Sequence, residues 1–280
     1  MKFHPNKCKV LSSANHPPPL LGILPNIQFI YHLGGNPLDY TESEKDLGID
    51  ITPKLNWNMH CNRVYSKANQ ILGLTKRTCF FVNDSNRRRA LYLALVRSQF
   101  EHCSVVWRPN SKTLLQKFES LQKRAIKWIL FEENIRYNSL TTYIQKCRQV
   151  NLLPISNKFD LSDLILFHKI VYELSPLKLP MYLTFFSGTS RLRSCHFDSL
   201  TFVSSIHPKS YSNSMSNSNY KNVLGNSFFY RTHLKWNNLP FEIRDTSNPC
   251  KFKKELIKYF WENLTSTMTS SDDEDLLDTG

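Results

Sequence analysis

Apolar residues recur at steps of three and four through most of the chain after Pro53, the periodicity of one face of an α-helix. In the segment 55–77 this face holds Trp57, Cys61, Val64, Ala68, Ile71 and Leu72. The same spacing predicts four more helices, at 86–106, 111–130, 157–174 and 251–264, and a shorter one at 137–148. Asp84 or Ser85 is a natural N-cap for the helix that follows, and Pro109 ends that helix.

Residues 1–50 have a different pattern, in which short apolar runs are broken by turn residues. The run KCKVLSS is a strand candidate. The prolines at 17–19 interrupt regular structure, because each fixes φ and lacks an amide donor. The β-rich run IQFIYHLGG ends on Gly34 and Gly35, which tolerate the positive φ of a tight turn. This part of the chain therefore predicts a small β-hairpin.

These patterns predict a mostly α fold, with a helical bundle, a small N-terminal β-hairpin and an irregular, α-rich C-terminal region. The predicted segments are 1–50 with the hairpin, 51–150 with the helical bundle, 151–265 as the C-terminal region, and 266–280 as a disordered acidic tail. Within the C-terminal region the run SYSNSMSNSNYKN predicts a polar loop at about 208–222.

The net positive charge lies in one stretch. Residues 51–150 have 18 Lys and Arg against 5 Asp and Glu, whereas the rest of the chain has 18 of each. Gathering the whole excess onto amphipathic helices creates an electrostatic surface for a polyanion. We therefore expect nucleic acid as the partner.

Three consecutive arginines stand out within this stretch. Arg87, Arg88 and Arg89 come at the start of a predicted helix, where the macrodipole is positive and each cation costs about 0.3 kcal/mol or more. Phosphates would supply the missing negative charge, so we expect these side chains to contact phosphate. The alternative is a solvated charge run, which usually has little effect.

The sequence contains no recognisable enzyme constellation: no Walker loop, no HExxH and no nucleophile elbow. The seven cysteines are scattered singly without a CxxC, which disfavours a zinc site and indicates reduced thiols. Asp272 and Asp273 lie in the polar tail, without a strand to hold them as a Mg²⁺ site. His168, at the edge of an apolar helix face, is expected to be a core residue. No apolar run is long enough to predict a membrane span.

Several short sequence motifs, and the order in which they occur, resemble those of the reverse transcriptases of non-LTR (LINE-like, jockey-like) retrotransposons. MKFHPNKCKVL at 1–11 resembles the segment after their catalytic strand-turn, YHLG at 31–34 their primer-grip hairpin, and KDLGI at 45–49 the start of their thumb. LYLALVRSQFEHCSVVW at 91–107, FESLQKR at 118–124 and NSFFYRTHLKWNNLP at 226–240 continue the series. The series covers nearly the whole chain, and its order makes it specific.

The resemblance implies an RNA-directed DNA polymerase whose fingers and palm, with the Tyr/Phe-Ala-Asp-Asp metal site, would lie upstream. We therefore expect a fragment without nucleotidyl transfer and without a cofactor, Mg²⁺ belonging only to the missing palm. Position 4 is His, where the family usually has Asn. The implied partners are RNA, an RNA–DNA hybrid and the upstream polymerase portion. The implied setting is a nuclear or cytoplasmic ribonucleoprotein, with no membrane.

The resemblance also implies nucleic-acid contacts by position. Lys7 matches a lysine on the incoming-nucleotide side of the palm, and Tyr31, Leu33 and Gly34 would approach the primer backbone. The thumb helices would direct basic side chains toward the minor groove and phosphates of a hybrid, with little base specificity. These are Arg63, Lys67, Arg87, Arg88, Arg89, Lys123, Arg124 and Lys127.

Two other interpretations are open. In a helical protein-interaction module, the basic faces would only be solvated and the acidic tail would dock a partner. In an unstable remnant with no independent activity, the palm surface beneath the hairpin would be missing. Residues 1–50 would then be protease-sensitive while 51–150 resist.

Overall fold

The computed structural model describes residues 8–12, 30–131, 142–185, 200–204 and 227–272, with side chains to residue 265. Most of these residues are helical, which confirms the predicted mostly α fold. The predicted polar loop at about 208–222 and the tail beyond 272 lie outside the described residues.

The strands of the N-terminal part are two or three residues long. They are β1 (Lys9–Val10), β2 (His32–Leu33), β3 (Asn36–Pro37), β4 (Asp39–Tyr40), β5 (Glu44–Asp46) and β6 (Ile49–Ile51). β2 and β3 form an antiparallel hairpin around Gly34 and Gly35, whose φ angles of 58° and 83° confirm the predicted turn. β1 pairs in parallel with β4, and β5 forms a second hairpin with β6.

The helical part begins with α1 (Asn58–Thr78) and α2 (Ser85–Leu91), whose N-cap Asp84 accepts from two backbone amides. A π-helical segment (Tyr92–Arg97), α3 (Ser98–Glu101), α4 (Ser104–Trp107), α5 (Lys112–Ile129) and α6 (Tyr143–Gln149) follow. The prediction of one continuous helix over 86–106 is therefore wrong at residues 102–103, where the helix is interrupted. The break has a local cause, because Cys103 has a left-handed φ of 50° that a continuous helix cannot include.

The C-terminal part comprises α7 (Ile155–Val171), β7 (Leu183–Phe185), β8 (Phe202–Ser204), α8 (Phe228–Asn237), α9 (Phe241–Arg244) and α10 (Pro249–Asp272). β7 and β8 form an antiparallel hairpin. α10 was predicted to end at 264, with a disordered tail from 266, but it continues to Asp272. Residues 265–272 contain neither glycine nor proline, so nothing in them stops the helix.

Two apolar cores lie on either side of α7. The first is built by α1 to α6 around fully buried side chains such as Trp107 and Phe118, and the second by α7 to α10 around Trp236 and Phe252. α7 contributes to both, through Phe159 to the first and through later residues to the second. Helix α7 thus joins the two halves through continuous packing.

A buried carboxylate also connects the two halves. Asp163 on α7, only 1% exposed, accepts from Arg108 Nη1 at 2.9 Å and from Arg231 Nε at 2.9 Å. Arg231 Nη2 donates further to Val105 O at 2.6 Å, so this α8 side chain contacts α4. Because two guanidinium groups share one buried carboxylate, the position of α7 determines where α4 and α8 meet.

Candidate nucleic-acid interface

The basic surface is built on α1 and α5, which pack side by side with their apolar faces in the first core. Two lysines link the helices on the outside. Lys117 Nζ donates to Asn62 Oδ1 at 2.9 Å in the first half of each helix, and Lys76 Nζ donates to Arg124 O at 3.0 Å in the second half. The helices therefore run in the same direction, and their C-terminal ends lie together.

Charge on these two helices is strongly unbalanced. α1 has four Lys and Arg and no carboxylate, and α5 has five Lys and Arg with Glu119 as its carboxylate. The Glu119 side chain faces α6 and the start of α7, where it accepts from Tyr143 Oη at 2.6 Å and from the amide of Ser156 at 3.0 Å. The outer face of α1 and α5 consequently receives no counter-charge from its own helices.

The positive charges are concentrated most where α1 and α5 end. We call Lys76, Arg124 and Lys127 the basic cluster. Burial lowers the pKa of Lys76, and the positive charges of Arg124 and Lys127 lower it further. The negative ends of two helix macrodipoles offset part of this repulsion, because both helices finish here. A bound anion would offset the rest.

Arg88 does not belong to this surface, and the prediction that it contacts phosphate is wrong. Its side chain is buried, with Nε donating to Val82 O and Nη1 donating to Trp128 O at 2.9 Å. The guanidinium also lies 5.5 Å from the ring centroid of Trp128. Trp128 O is one of the last carbonyls of α5, so Arg88 provides at that helix end the cation which the macrodipole favours.

Arg89 is used in the same way at another helix end. Its Nε donates to Val150 O at 2.7 Å and its Nη2 to Asn151 O at 3.2 Å, just after α6. The arginine run therefore has an explanation that does not involve phosphate, since two of its members serve the C-terminal ends of α5 and α6. Arg87 remains 80% exposed, beside Asp84 with Nε 3.6 Å from Oδ2.

Arg63 holds the second hairpin against α1. Its Nε pairs with Asp50, and its Nη2 donates to Gly48 O at 2.8 Å. The buried ring of His60 lies beside this pair, with Nδ1 3.2 Å from the Arg63 guanidinium. Burial lowers the pKa of His60, and the Asp50 hydrogen bond opposes that shift. Arg63 therefore serves mainly to attach the hairpin.

The remaining predicted residues fall in different places. Lys67, exposed, lies one turn after Arg63 on the hairpin side of α1. Lys123, exposed, has its Nζ 4.9 Å from the centroid of the Tyr143 ring, on the α6 side of α5. Arg124 and Lys127 are therefore the predicted residues that the structure brings together.

Three predicted contacts belong to the first hairpin. Tyr31 is 43% exposed and its ring lies 6.3 Å from that of Tyr40, Leu33 is half-buried in β2, and Gly34 forms the turn. Lys7 lies outside the described residues.

Lys76 and Lys117 were missed as site residues. Both fall within the basic stretch, but the sequence of one helix does not show which other helix its lysines will contact. The signal that could have found them is their position beside the apolar stripe, which is the edge that a neighbouring helix contacts.

The other candidate groups are His168 and the side chains that could bind a metal ion. His168 is fully buried, with Nε2 2.6 Å from Thr246 O and its ring stacked on Phe252, which confirms the predicted core position. Burial lowers the pKa of His168. Among the described residues, no three His, Cys, Asp or Glu side chains converge where a metal ion could bind. Within the same residues, no helix combines the length and apolarity needed to cross a membrane.

Comparison of this chain with protein-family models, with curated proteins and with solved structures finds no match.

Proposed function

We propose that the outer face of α1 and α5 binds RNA or an RNA–DNA hybrid through its phosphates, with little base preference. The observation that carries this proposal is the basic cluster, in which Lys76 Nζ lies 3.0 Å from Arg124 O and Lys127 follows Arg124 by three residues on the same helix. Like charges held together favour a polyanion, whose phosphates displace the counterions that otherwise screen them.

The ordered phrases that resemble non-LTR retrotransposon reverse transcriptases support the same proposal. In this proposal residues 51–150 correspond to the thumb, a part of the polymerase that holds the hybrid and performs no catalytic step. The chain would act as a binding fragment within a nuclear or cytoplasmic ribonucleoprotein, beside the polymerase portion that carries the metal site.

The test is a salt titration of binding with a labelled RNA–DNA hybrid, read by fluorescence anisotropy. Affinity should fall steeply between low and moderate salt, because each phosphate contact releases a counterion. The double variant R124Q/K127Q removes two contacts and should reduce the slope of log affinity against log salt by roughly 1.5 to 2.

The matched control is K251Q/K254Q. These lysines are exposed on α10 and have the same three-residue spacing as Arg124 and Lys127. Each double variant removes two positive charges, so the change in net charge is equal. The control should keep the original slope. An equal reduction in both variants would show that only net charge matters. A flat salt dependence, or no binding by the folded chain, would overturn the proposal and favour a protein-interaction module.

A further inference from the structure

Three large apolar rings are exposed where α1 and α5 end. Phe80 is 73% exposed, Phe81 68% and Phe131 74%. Phe80 and Phe81 follow the last turn of α1, and Phe131 follows the end of α5. Burying a phenylalanine ring is normally favourable, so three such rings at one end form a surface suited to a ligand.

Arg88 brings the two groups of rings to the same end of the bundle. The single guanidinium donates to Val82 O in the turn after Phe81 and to Trp128 O at the end of α5. The amide of Phe131 also donates to Trp128 O, at 3.4 Å. The backbones that carry the rings are therefore joined through one buried side chain.

Each ring follows a cation by four residues. Lys76 precedes Phe80, Arg77 precedes Phe81, and Lys127 precedes Phe131. Lys76 and Lys127 belong to the basic cluster, and the rings follow the ends of the same two helices, so aromatic surface and positive charge occur at the same end of the bundle. An uncharged apolar partner would not require these cations, whereas a nucleic acid with unpaired bases presents both phosphates and flat apolar faces.

We propose that Phe80 and Phe131 stack on unpaired bases, so that this end of the bundle binds single-stranded RNA or DNA at a single-strand extension of the duplex. The proposal rests on the proposed function, because the basic cluster would hold the phosphates of the same strand. Phe81 meets Phe80 edge to face, with centroids 5.8 Å apart and planes at 86°, and this contact holds the Phe80 ring in position. Bases inside a duplex already stack on each other and offer no free face.

The test compares a labelled single strand with a blunt RNA–DNA hybrid of equal length, for the full chain and its variants. Phe80→Ala should weaken single-strand binding about tenfold, the usual effect of losing one stacked base. Phe131→Ala should do the same. Hybrid binding should stay within about twofold, a change of under 0.5 kcal/mol, because the paired bases offer no free face to either ring. The slope against salt should not change, because no charge is removed.

Two further variants of Phe80 separate stacking from general apolar contact. Phe80→Tyr keeps an aromatic face and should retain single-strand affinity, whereas Phe80→Leu keeps only apolar bulk and should lose it. Phe241→Ala, a change at an exposed phenylalanine on α9, is the matched control and should leave both affinities unchanged. Circular dichroism checks that each variant folds.

The outcomes distinguish the two proposals. If R124Q/K127Q weakens binding but Phe80→Ala and Phe131→Ala do not, the stacking site is refuted and the phosphate-binding face stands. If Phe80→Leu binds a single strand as well as the unchanged chain, the rings contribute apolar contact and not stacking, which also refutes the site. If the folded chain binds neither ligand, both proposals fail.

Discussion

Replacing Arg88 by alanine should destabilise the helical bundle strongly. The guanidinium donates to Val82 O in the turn before α2 and to Trp128 O at the end of α5. A hydrogen bond to a charged group contributes about 1.5–3 kcal/mol. Loss of the donor to Val82 O costs about 1–3 kcal/mol more, whereas Trp128 O keeps the amide of Phe131. Allowing for partial relaxation and entry of water, we expect the free energy of unfolding to fall by about 3–5 kcal/mol.

That loss is a large fraction of the total, because a domain of this kind is stable by only about 5–15 kcal/mol. The measurement is urea unfolding followed by circular dichroism, with the free energy extrapolated to water. Arg87→Ala is the matched control, since it removes the same side chain from the adjacent position of α2. Arg87 is 80% exposed and has a surface ion pair, so its removal should change the free energy of unfolding by at most about 0.5 kcal/mol.

Equal destabilisation by the two arginine variants would refute this reasoning. So would an Arg88→Ala protein of unchanged stability that has lost affinity for nucleic acid. The latter result would return Arg88 to the phosphate-binding role that the arginine run originally predicted.

Two further predictions concern buried groups. Asp163→Asn should lower the free energy of unfolding by about 3 kcal/mol, measured by the same urea assay, because Arg108 and Arg231 would lose their shared buried counter-charge and Arg108 would keep only Asp160. Iodoacetamide at mildly alkaline pH should label the exposed Cys250 and leave Cys61 unlabelled in the native protein. Burial raises the pKa of the Cys61 thiol to about 12 and also blocks access, and peptide mass spectrometry identifies the modified cysteines.

The Asp163 variant and the cysteine labelling each have a control. Asp245→Asn changes an exposed carboxylate and should be nearly neutral, so an equally small effect at Asp163 would contradict the proposed connection between the two halves. Cys61 should become reactive in urea. Rapid labelling of Cys61 in the folded chain would show that α1 does not pack as described.

Local sequence patterns were sufficient for the long helices and the first hairpin, but not for β7, β8, α8 and α9. The three- and four-residue apolar spacing predicted α1, α5 and α7, and Gly34 and Gly35 predicted the first hairpin, because helix faces and tight turns depend on residues close together in the chain. The charge count located the basic stretch for the same reason. The break at Cys103 and the extension of α10 to Asp272 were not predicted, since apolar spacing alone does not locate where a helix is interrupted or ends.

The roles of the basic residues could not be read from the sequence. Arg87 and Arg88 are adjacent and identical in type, yet the first is solvated and the second is buried. That difference depends on a carbonyl forty residues away, which reaches Arg88 only when α2 packs against the end of α5. The amino-acid sequence by itself determined where the long helices form and how much positive charge they carry. The packing of α1 beside α5 decided which of those charges lie together on the surface, because it brings distant segments into contact.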